Sequence, residues 1–352
     1  MKILFVIESL SKGGAERVIS VLSQEMERLG HEVTIIIFTQ KIAYSYGGKL
    51  SSLNLPLPQK SGFMKLNLLK VYWHRISALK KIIKQCNPDK VFSFMEVSSI
   101  ISILATRKTI ACIRVDLGFL SSRIKFVMKM LYPFASGIVC NAQAQVKSLE
   151  GILSHRNVRV IYNPLNLDYI RIQRQKDLDY SCPFILAVGR LERQKRFDLL
   201  IEAFARSAAK NDLDLVILGA GGEFAKLQKI AQDLQVEDRV KFLGVVDNPY
   251  SYMRRCLFFV LSSDFEGFPN ALAEALACGA AVISTNCPTG PSELITNGLN
   301  GRLVPIGDVD VLTRVMDELY HGEKLQIQFK ENAHESVKSL DVSNIVKQFL
   351  SF

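Results

Sequence analysis

The sequence predicts an α/β protein made of two doubly wound, Rossmann-like domains. Its 352 residues exceed what one ordinary hydrophobic core accommodates. Short apolar runs alternate with amphipathic segments of helical spacing, and this alternation occurs in two successive series. A polar connection, residues 168–180, separates the two series and is typical of an exposed link between domains.

The first series opens with a βαβ unit. An apolar strand at 2–9 leads through Gly13 and Gly14 into a helix at 15–29, and a second strand follows at 33–38. Further elements of this series are strands at 90–94, 109–115 and 137–140 and a helix at 124–131.

The second series begins with a strand at 184–188. Its other elements are a helix at 197–209, a strand at 213–218, a helix at 223–234, strands at 240–243 and 258–262, a helix at 270–278 and a strand at 281–284. Apolar positions at helix spacing in 342–352 predict a terminal helix that needs a surface to cover. We therefore expect an N-terminal domain at 1–165, a linker at 166–182, a C-terminal domain at 183–335 and a helix in 336–352 that crosses back to the first domain.

Composition favours a globular protein of the reducing cytosol. Hydrophobic residues make up 48% of the chain and charged residues 22%, and no run approaches the roughly 18 apolar residues of a membrane span. The seven cysteines are scattered without a CxxC pair, which argues against a disulfide framework and against a zinc site.

Positive charge is concentrated in the first half of the chain. Residues 1–165 hold 23 Lys and Arg against 9 Asp and Glu, whereas residues 166–352 hold 21 against 25. The first half therefore attracts anions, and a nucleic acid, an acidic membrane face and a diphosphate all fit this charge.

Gly13 and Gly14 form the first candidate phosphate site. They lie between a strand end and a helix start, where backbone N–H groups can approach a phosphate and the helix dipole favours negative charge. The alternative is a tight turn without a ligand. Neither this segment nor the one beginning at Gly219 completes GxGxxG, and no acid follows the second strand, so a nicotinamide enzyme is disfavoured.

Arg190 and Lys195 form a second candidate site. They lie in the loop after the strand at 184–188, where two cations can bind a diphosphate at the carboxyl edge of a sheet. The alternative is that both side chains are simply solvated.

A pair of carboxylates follows in residues 264–275. Glu266 precedes the predicted helix and Glu274 lies one turn inside it, so both can point at one site. The N–H groups of Phe268, Asn270 and Ala271 at the helix start suit a pyrophosphate, with Glu274 beside the ribose. Glu266 suits the hydroxyls of a sugar or balances positive charge at a breaking glycosidic bond. The alternative for Glu274 is a first-turn acid that complements the helix dipole.

Together these segments resemble glycosyltransferase family four, the retaining enzymes of GT-B fold, over nearly the whole chain. The matching motifs are Gly13-Gly14-Ala15-Glu16-Arg17, Asn163-Pro164, Gly189-Arg190-Leu191 with Lys195, Gly219-Ala220-Gly221, and the EX7E pair Glu266 and Glu274. The resemblance implies that Arg190 and Lys195 hold the donor diphosphate, Glu274 the ribose and Glu266 the transferred sugar, with Gly14 close to the phosphates. It also implies independence of metal and cofactor.

The sequence departs from the family pattern at one position. Many members carry a histidine after the strand that here contains Arg114, yet no histidine occurs between His74 and His155. We expect Arg114 or Asp116 to act there, Arg114 by stabilising departing phosphate charge or holding an acceptor hydroxyl. The alternative is that Arg114 forms a salt bridge with Asp116 or another neighbour.

Two basic, apolar segments predict contact with an anionic membrane. Residues 60–84 and 121–134 mix lysine and arginine with large hydrophobic side chains, a composition typical of helices lying on such a membrane. The alternative is a surface helix that packs its apolar side on the sheet.

The second half resembles bacterial N-acetylgalactosaminyltransferases of lipid-linked glycan assembly, through Asp247-Asn248-Pro249-Tyr250, Phe265-Glu266-Gly267-Phe268 and Thr289-Gly290-Pro291-Ser292-Glu293. The resemblance implies a UDP-GalNAc, UDP-Gal or UDP-GlcNAc donor and an undecaprenyl-diphosphate-linked acceptor, at the inner face of the cell membrane. A UDP-sugar 2-epimerase of the same fold is the alternative. A nucleic-acid-binding protein is disfavoured, because the aromatics are spaced for an apolar face and no known binding module occurs.

Overall fold

A computed structural model describes residues 1–11, 13–57 and 64–352. The chain forms two compact units, one of residues 1–164 with 342–352 and the other of residues 165–341. Each unit has hydrophobic clusters of its own around a parallel sheet.

The first unit contains, in its described residues, a seven-stranded sheet in which every pairing is parallel, in the order β3-β2-β1-β4-β5-β6-β7. The strands are β1 Lys2–Ile7, β2 Glu32–Ile37, β3 Lys49–Ser52, β4 Lys90–Phe94, β5 Thr109–Ile113, β6 Gly137–Cys140 and β7 Val158–Val160. The helices are α1 Gly14–Arg28, α2 Met64–Cys86, α3 Glu96–Ala105, α4 Ser122–Leu131 and α5 Gln143–Glu150. The central strands are buried on both faces, as expected where helices cover a parallel sheet.

The second unit contains a six-stranded parallel sheet in the order β10-β9-β8-β11-β12-β13. The strands are β8 Phe184–Val188, β9 Asp214–Leu218, β10 Val240–Gly244, β11 Phe259–Leu261, β12 Val282–Thr285 and β13 Arg302–Val304. The helices are α6 Leu167–Gln173, α7 Phe197–Arg206, α8 Phe224–Asp233, α9 Pro249–Arg255, α10 Asn270–Ala277, α11 Pro291–Leu294, α12 Val309–His321 and α13 Glu323–Ala333.

The last helix, α14 Val342–Leu350, returns to the first unit and packs against α1. Ile345, Val346 and Phe349 are fully buried there, and the ring of Phe349 meets that of Phe92 edge-on at 5.2 Å between centroids. Two doubly wound units with a crossing terminal helix confirm the predicted fold class.

The polar stretch between the two series is more ordered than the sequence suggested. Residues 168–180 were predicted to be an exposed connection, but α6 extends into this stretch and its Ile170 is only 2% exposed. Because one face of α6 packs on α9 and α10, the helix belongs to the second unit. The finer division at residues 165, 182 and 335 stays a prediction.

None of the helices in the described residues combines the length and the apolar character needed to cross a membrane.

Candidate active site

The carboxyl edge of the second sheet brings several loops together. All its strands are parallel and β8 lies between β9 and β11, so the loops after these three strands meet at one edge. Gly189 follows β8 and Gly219 follows β9. Gly219 has φ +141°, and a Cβ there would lie 1.8 Å from the carbonyl oxygen of Gly189, so no larger residue fits. This close approach occurs at the kind of sheet edge where α/β proteins bind ligands.

Lys195 and Glu266 meet at this edge. Lys195 Nζ lies 2.5 Å from Glu266 Oε1, and the two side chains are only 14% and 8% exposed. The hydroxyl of Ser263 donates to the same Oε1 at 2.7 Å. The pair therefore combines opposite charges with an additional hydrogen bond, which a buried ion pair needs to offset its desolvation.

The loops that carry these two residues are hydrogen-bonded to each other. Gln194 Nε2 donates to the carbonyl of Phe265 at 2.6 Å, and the N–H of Asp264 donates to the carbonyl of Gln194 at 3.0 Å. The hydroxyl of Ser262 donates to the carbonyl of Lys195 at 2.7 Å. The Lys195–Glu266 contact is thus supported by backbone as well as side-chain bonds.

Helix α10 begins directly after this loop. Phe268 and Glu274 are buried, at 5% and 4% exposure, while Asn270 and Ala271 at the helix start are partly exposed. The N–H of Asn270 donates to the carbonyl of Phe268 at 2.9 Å, so this N–H already has a partner. Glu274 is thus a buried acid within the first turns of a helix whose start lies close along the chain to Glu266.

Arg190 is placed differently from Lys195. Its side chain is 64% exposed and its nearest ionic partner is Glu192, with 3.8 Å between nitrogen and oxygen. Within the described residues, no ion pair or hydrogen bond joins Arg190 to Lys195 or Glu266. The structure therefore places Lys195 against the carboxylate of Glu266 and leaves Arg190 at the surface.

The first unit holds the remaining predicted residues. Gly13 precedes α1 and Gly14 begins it, and Gly14 is exposed. The carboxylate of Glu16 lies over Gly13, where an added Cβ would come within 2.3 Å of Glu16 Oε2. The start of α1 is thus covered by an acid of its own first turn, as the helix dipole favours.

Arg114 is buried just beyond the end of β5. Its Nη1 donates to Asn163 Oδ1 at 2.7 Å, and the guanidinium stacks 4.7 Å from the centre of the Phe94 ring. Nε and Nη2 have no hydrogen-bond partner among the described residues, and burial lowers the pKa of the guanidinium.

Asp116 serves a local turn. Its Oδ1 accepts from the N–H of Gly118 at 2.7 Å and so caps the single helical turn at 117–119. No ion pair joins Asp116 to Arg114 in the part of the chain that is described. The salt bridge weighed as an alternative is therefore not formed between these two, and the catalytic role predicted for each stays a prediction.

Glu96 is a buried acid that none of the sequence motifs indicated. It follows β4 and Met95, whose φ of +72° is strained for a non-glycine residue. Glu96 is 7% exposed, its Oε1 has no hydrogen-bond partner among the described residues, and burial raises the pKa of its carboxyl. The available signal was an acid two residues after the end of a predicted strand.

Glu96→Gln is expected to change how stability depends on pH. Because the native carboxyl keeps its proton to higher pH than the unfolded one, stability falls as pH rises from the unfolded pKa, about 4.3, through the raised native value. Glutamine removes this loss, so the free energy of unfolding of the variant relative to the parent should increase from acid to neutral pH. Urea unfolding across this range measures it, with exposed Glu27→Gln as control; a pH-independent difference contradicts the prediction.

Family models match both halves of the chain. The model for glycosyl transferases group 1 matches residues 168–336, and the model for Glycosyltransferase Family 4 matches residues 12–169.

Curated relatives cover the whole chain. It is 31% identical to N-acetylgalactosamine-N,N'-diacetylbacillosaminyl-diphospho-undecaprenol 4-alpha-N-acetylgalactosaminyltransferase of Campylobacter jejuni, over 100% of this chain and 99% of that protein. A second C. jejuni relative, GalNAc-alpha-(1->4)-GalNAc-alpha-(1->3)-diNAcBac-PP-undecaprenol alpha-1,4-N-acetyl-D-galactosaminyltransferase, is 26% identical, over 99% of this chain and 97% of that protein.

Solved structures share the fold. The Anabaena protein HepE in complex with UDP and glucose has a TM-score of 0.82 at 22% identity, over 100% of this chain and 98% of that one. The lipopolysaccharide outer core galactosyltransferase WaaB has a TM-score of 0.77 at 23% identity, over 100% and 98%.

Two doubly wound units, with GT-B glycosyltransferases as structural neighbours, show that the chain has the GT-B fold. The matched models and the full-length relative are more specific: the chain belongs to glycosyltransferase family four. The predicted family is confirmed and the enzyme is a hexosyltransferase, and the relatives do not favour the epimerase alternative.

Proposed function

We propose that this enzyme transfers an N-acetylhexosamine or hexose from a UDP-sugar to an undecaprenyl-diphosphate-linked glycan in surface polysaccharide assembly, with retention of configuration. The observation that carries the proposal is the Lys195–Glu266 pair at the carboxyl edge of the second sheet, close along the chain to the start of α10. The donor and acceptor classes are supported by the names of the C. jejuni relatives, which act on undecaprenol-linked saccharides.

Each charged group has a proposed task. Lys195 and the exposed Arg190 bind the donor diphosphate. Glu274 binds the ribose and Glu266 binds the transferred sugar. The glycines at 13, 14 and 219 allow close approach of backbone to phosphate. A donor phosphate oxygen assists deprotonation of the acceptor, so the residues orient two substrates and stabilise leaving-group charge instead of forming a covalent intermediate.

A panel of nucleotides and nucleotide sugars tests the donor. Ligands that bind only the folded protein stabilise it by about 2.7 kcal/mol at a concentration 100 times the Kd. We expect UDP and UDP-N-acetylhexosamines to raise the Tm. We also expect turnover with an undecaprenyl-diphosphate-linked saccharide as the acceptor. Stabilisation by GDP- or ADP-sugars alone, or an epimer formed from the donor without an acceptor, contradicts the proposal.

We further propose that the first unit docks on the anionic inner face of the cell membrane, so that a cytoplasmic enzyme reaches a lipid-linked acceptor. Large apolar side chains stand in solvent on two of its helices: Leu69 and Trp73 on α2 are 69% and 65% exposed, and Phe126 and Met130 on α4 are 65% and 56% exposed. Basic residues accompany them, namely Lys70, Arg123, Lys125 and Lys129. Of the predicted segment 60–84, residues 60–63 lie outside the described residues.

Charge neutralisation at the proposed membrane contact is expected to weaken vesicle binding. Each lysine near an anionic surface contributes about 1 kcal/mol, so Lys125→Gln with Lys129→Gln should weaken binding to phosphatidylglycerol vesicles about tenfold or more. Co-sedimentation at low salt measures this. The matched control is Lys226→Gln with Lys229→Gln on α8 of the second unit, and equal binding by both double variants contradicts the docking surface.

A further inference from the structure

The carboxylate of Glu266 is held at one oxygen only. Both the ammonium of Lys195 and the hydroxyl of Ser263 donate to Oε1, at 2.5 and 2.7 Å. Among the described residues no side chain donates a hydrogen bond to Oε2. Oε2 is also absent from the fully buried side-chain atoms that lack a hydrogen-bond partner in the described residues. The arrangement therefore leaves the second oxygen of the carboxylate available to a hydroxyl that enters the site.

The loop that carries Glu266 is tied at one end to the last residue of β12 and at the other to the segment that follows β12. The hydroxyl of Thr289 donates to the carbonyl of Glu266, and the hydroxyl of Thr285 donates to the carbonyl of Ser263 at 2.6 Å. Ser263 is fully buried. The loop from Ser263 to Glu266 is thus held by hydrogen bonds between neutral groups. An arriving anion does not attract these groups as it attracts an ammonium.

Lys195 and Ser263 differ in what an incoming diphosphate does to them. A diphosphate draws the ammonium of Lys195 toward its own oxygens, because both anions compete for one cation. The neutral hydroxyl of Ser263 carries no net charge to be drawn away. Once the diphosphate is bound, Ser263 remains as a donor that keeps Oε1 in place.

We propose that Ser263 is a positioning residue that holds Glu266 Oε1 while Lys195 engages the donor diphosphate, so that Oε2 stays directed at a hydroxyl of the transferred sugar. This inference rests on the proposed function, since it takes a nucleotide-diphosphate sugar as the donor. Ser263 then helps to position the transferred sugar and takes no part in binding the nucleotide.

Ser263→Ala tests the proposal against Ser284→Ala, which removes an equally buried hydroxyl on β12 whose bond goes to the carbonyl of Thr285. We expect kcat with the preferred UDP-sugar to fall about 10- to 100-fold in Ser263→Ala, because a small displacement of the Glu266 carboxylate from the sugar lowers the rate by about this factor. The Kd for UDP, measured by calorimetry, should stay at the parental value. In a Glu266→Gln background, Ser263→Ala should add no further loss, because the two residues act as a unit.

Three results overturn the proposal: equal kcat for the two alanine variants, a loss of UDP affinity that parallels the loss of kcat, or a full additive loss in the Glu266→Gln background. Where Ser263→Ala does not fold, Ser263→Cys keeps the size of the side chain with a weaker donor and takes its place in the same measurements. A parent enzyme that binds UDP but transfers no sugar from any UDP-sugar overturns the proposed function instead, and this inference with it.

Discussion

Glu266→Gln is expected to lower the kcat of sugar transfer about 10²- to 10³-fold, the cost of removing one preorganised electrostatic group from an active site. The carboxylate is paired with Lys195 and 8% exposed, so its charge acts in surroundings where solvent screens little. Glutamine has nearly the same shape and its carbonyl can still accept from Ser263. The variant should therefore fold, and the loss should lie in turnover.

Steady-state kinetics with the preferred donor and acceptor measure this effect, and thermal unfolding checks the fold. The matched control is Glu202→Gln on α7, which removes an acid whose ionic partner, Arg206, lies on the surface. A kcat for Glu266→Gln equal to that of the control contradicts the role of Glu266 at the site.

Phe349→Ala is expected to reduce the free energy of unfolding by about 3–5 kcal/mol, the usual cost of truncating a buried phenylalanine. Phe349 is fully buried on α14, where its ring packs on Phe92 and lies 5.9 Å from the guanidinium of Arg114. The ammonium of Lys90 holds the end of the same helix by donating to the carbonyl of Leu350 at 2.6 Å. The truncation therefore opens a cavity between α14 and the first sheet.

Urea unfolding measures the loss, and Gln348→Ala, one residue earlier on the exposed face of α14, is the control. We expect the control to stay near the parental stability because surface substitutions away from special features usually matter little. A loss for Phe349→Ala no larger than that of Gln348→Ala would show that α14 does not complete the first core.

Buried central strands were predicted most accurately. The predicted bounds 90–94, 137–140 and 184–188 are those observed for β4, β6 and β8, since strands covered on both faces are continuous apolar runs. The strands β3, β7 and β13 were not predicted. Each lies at the edge of its sheet, is three or four residues long and is only partly buried, so it carries little apolar signal.

The sequence by itself determined the two-series α/β pattern, the terminal amphipathic helix and the residue types of the site, because these depend on local periodicity and on motifs of fixed spacing. Only the tertiary structure decided that Lys195 meets Glu266, 71 positions away, and that Arg114 is held by Asn163, 49 positions away. It also decided that Arg190 stays exposed and that Ser263 and Lys195 donate to the same oxygen of Glu266. Such contacts depend on strand order and register, which bring distant loops to one sheet edge and which no local pattern encodes.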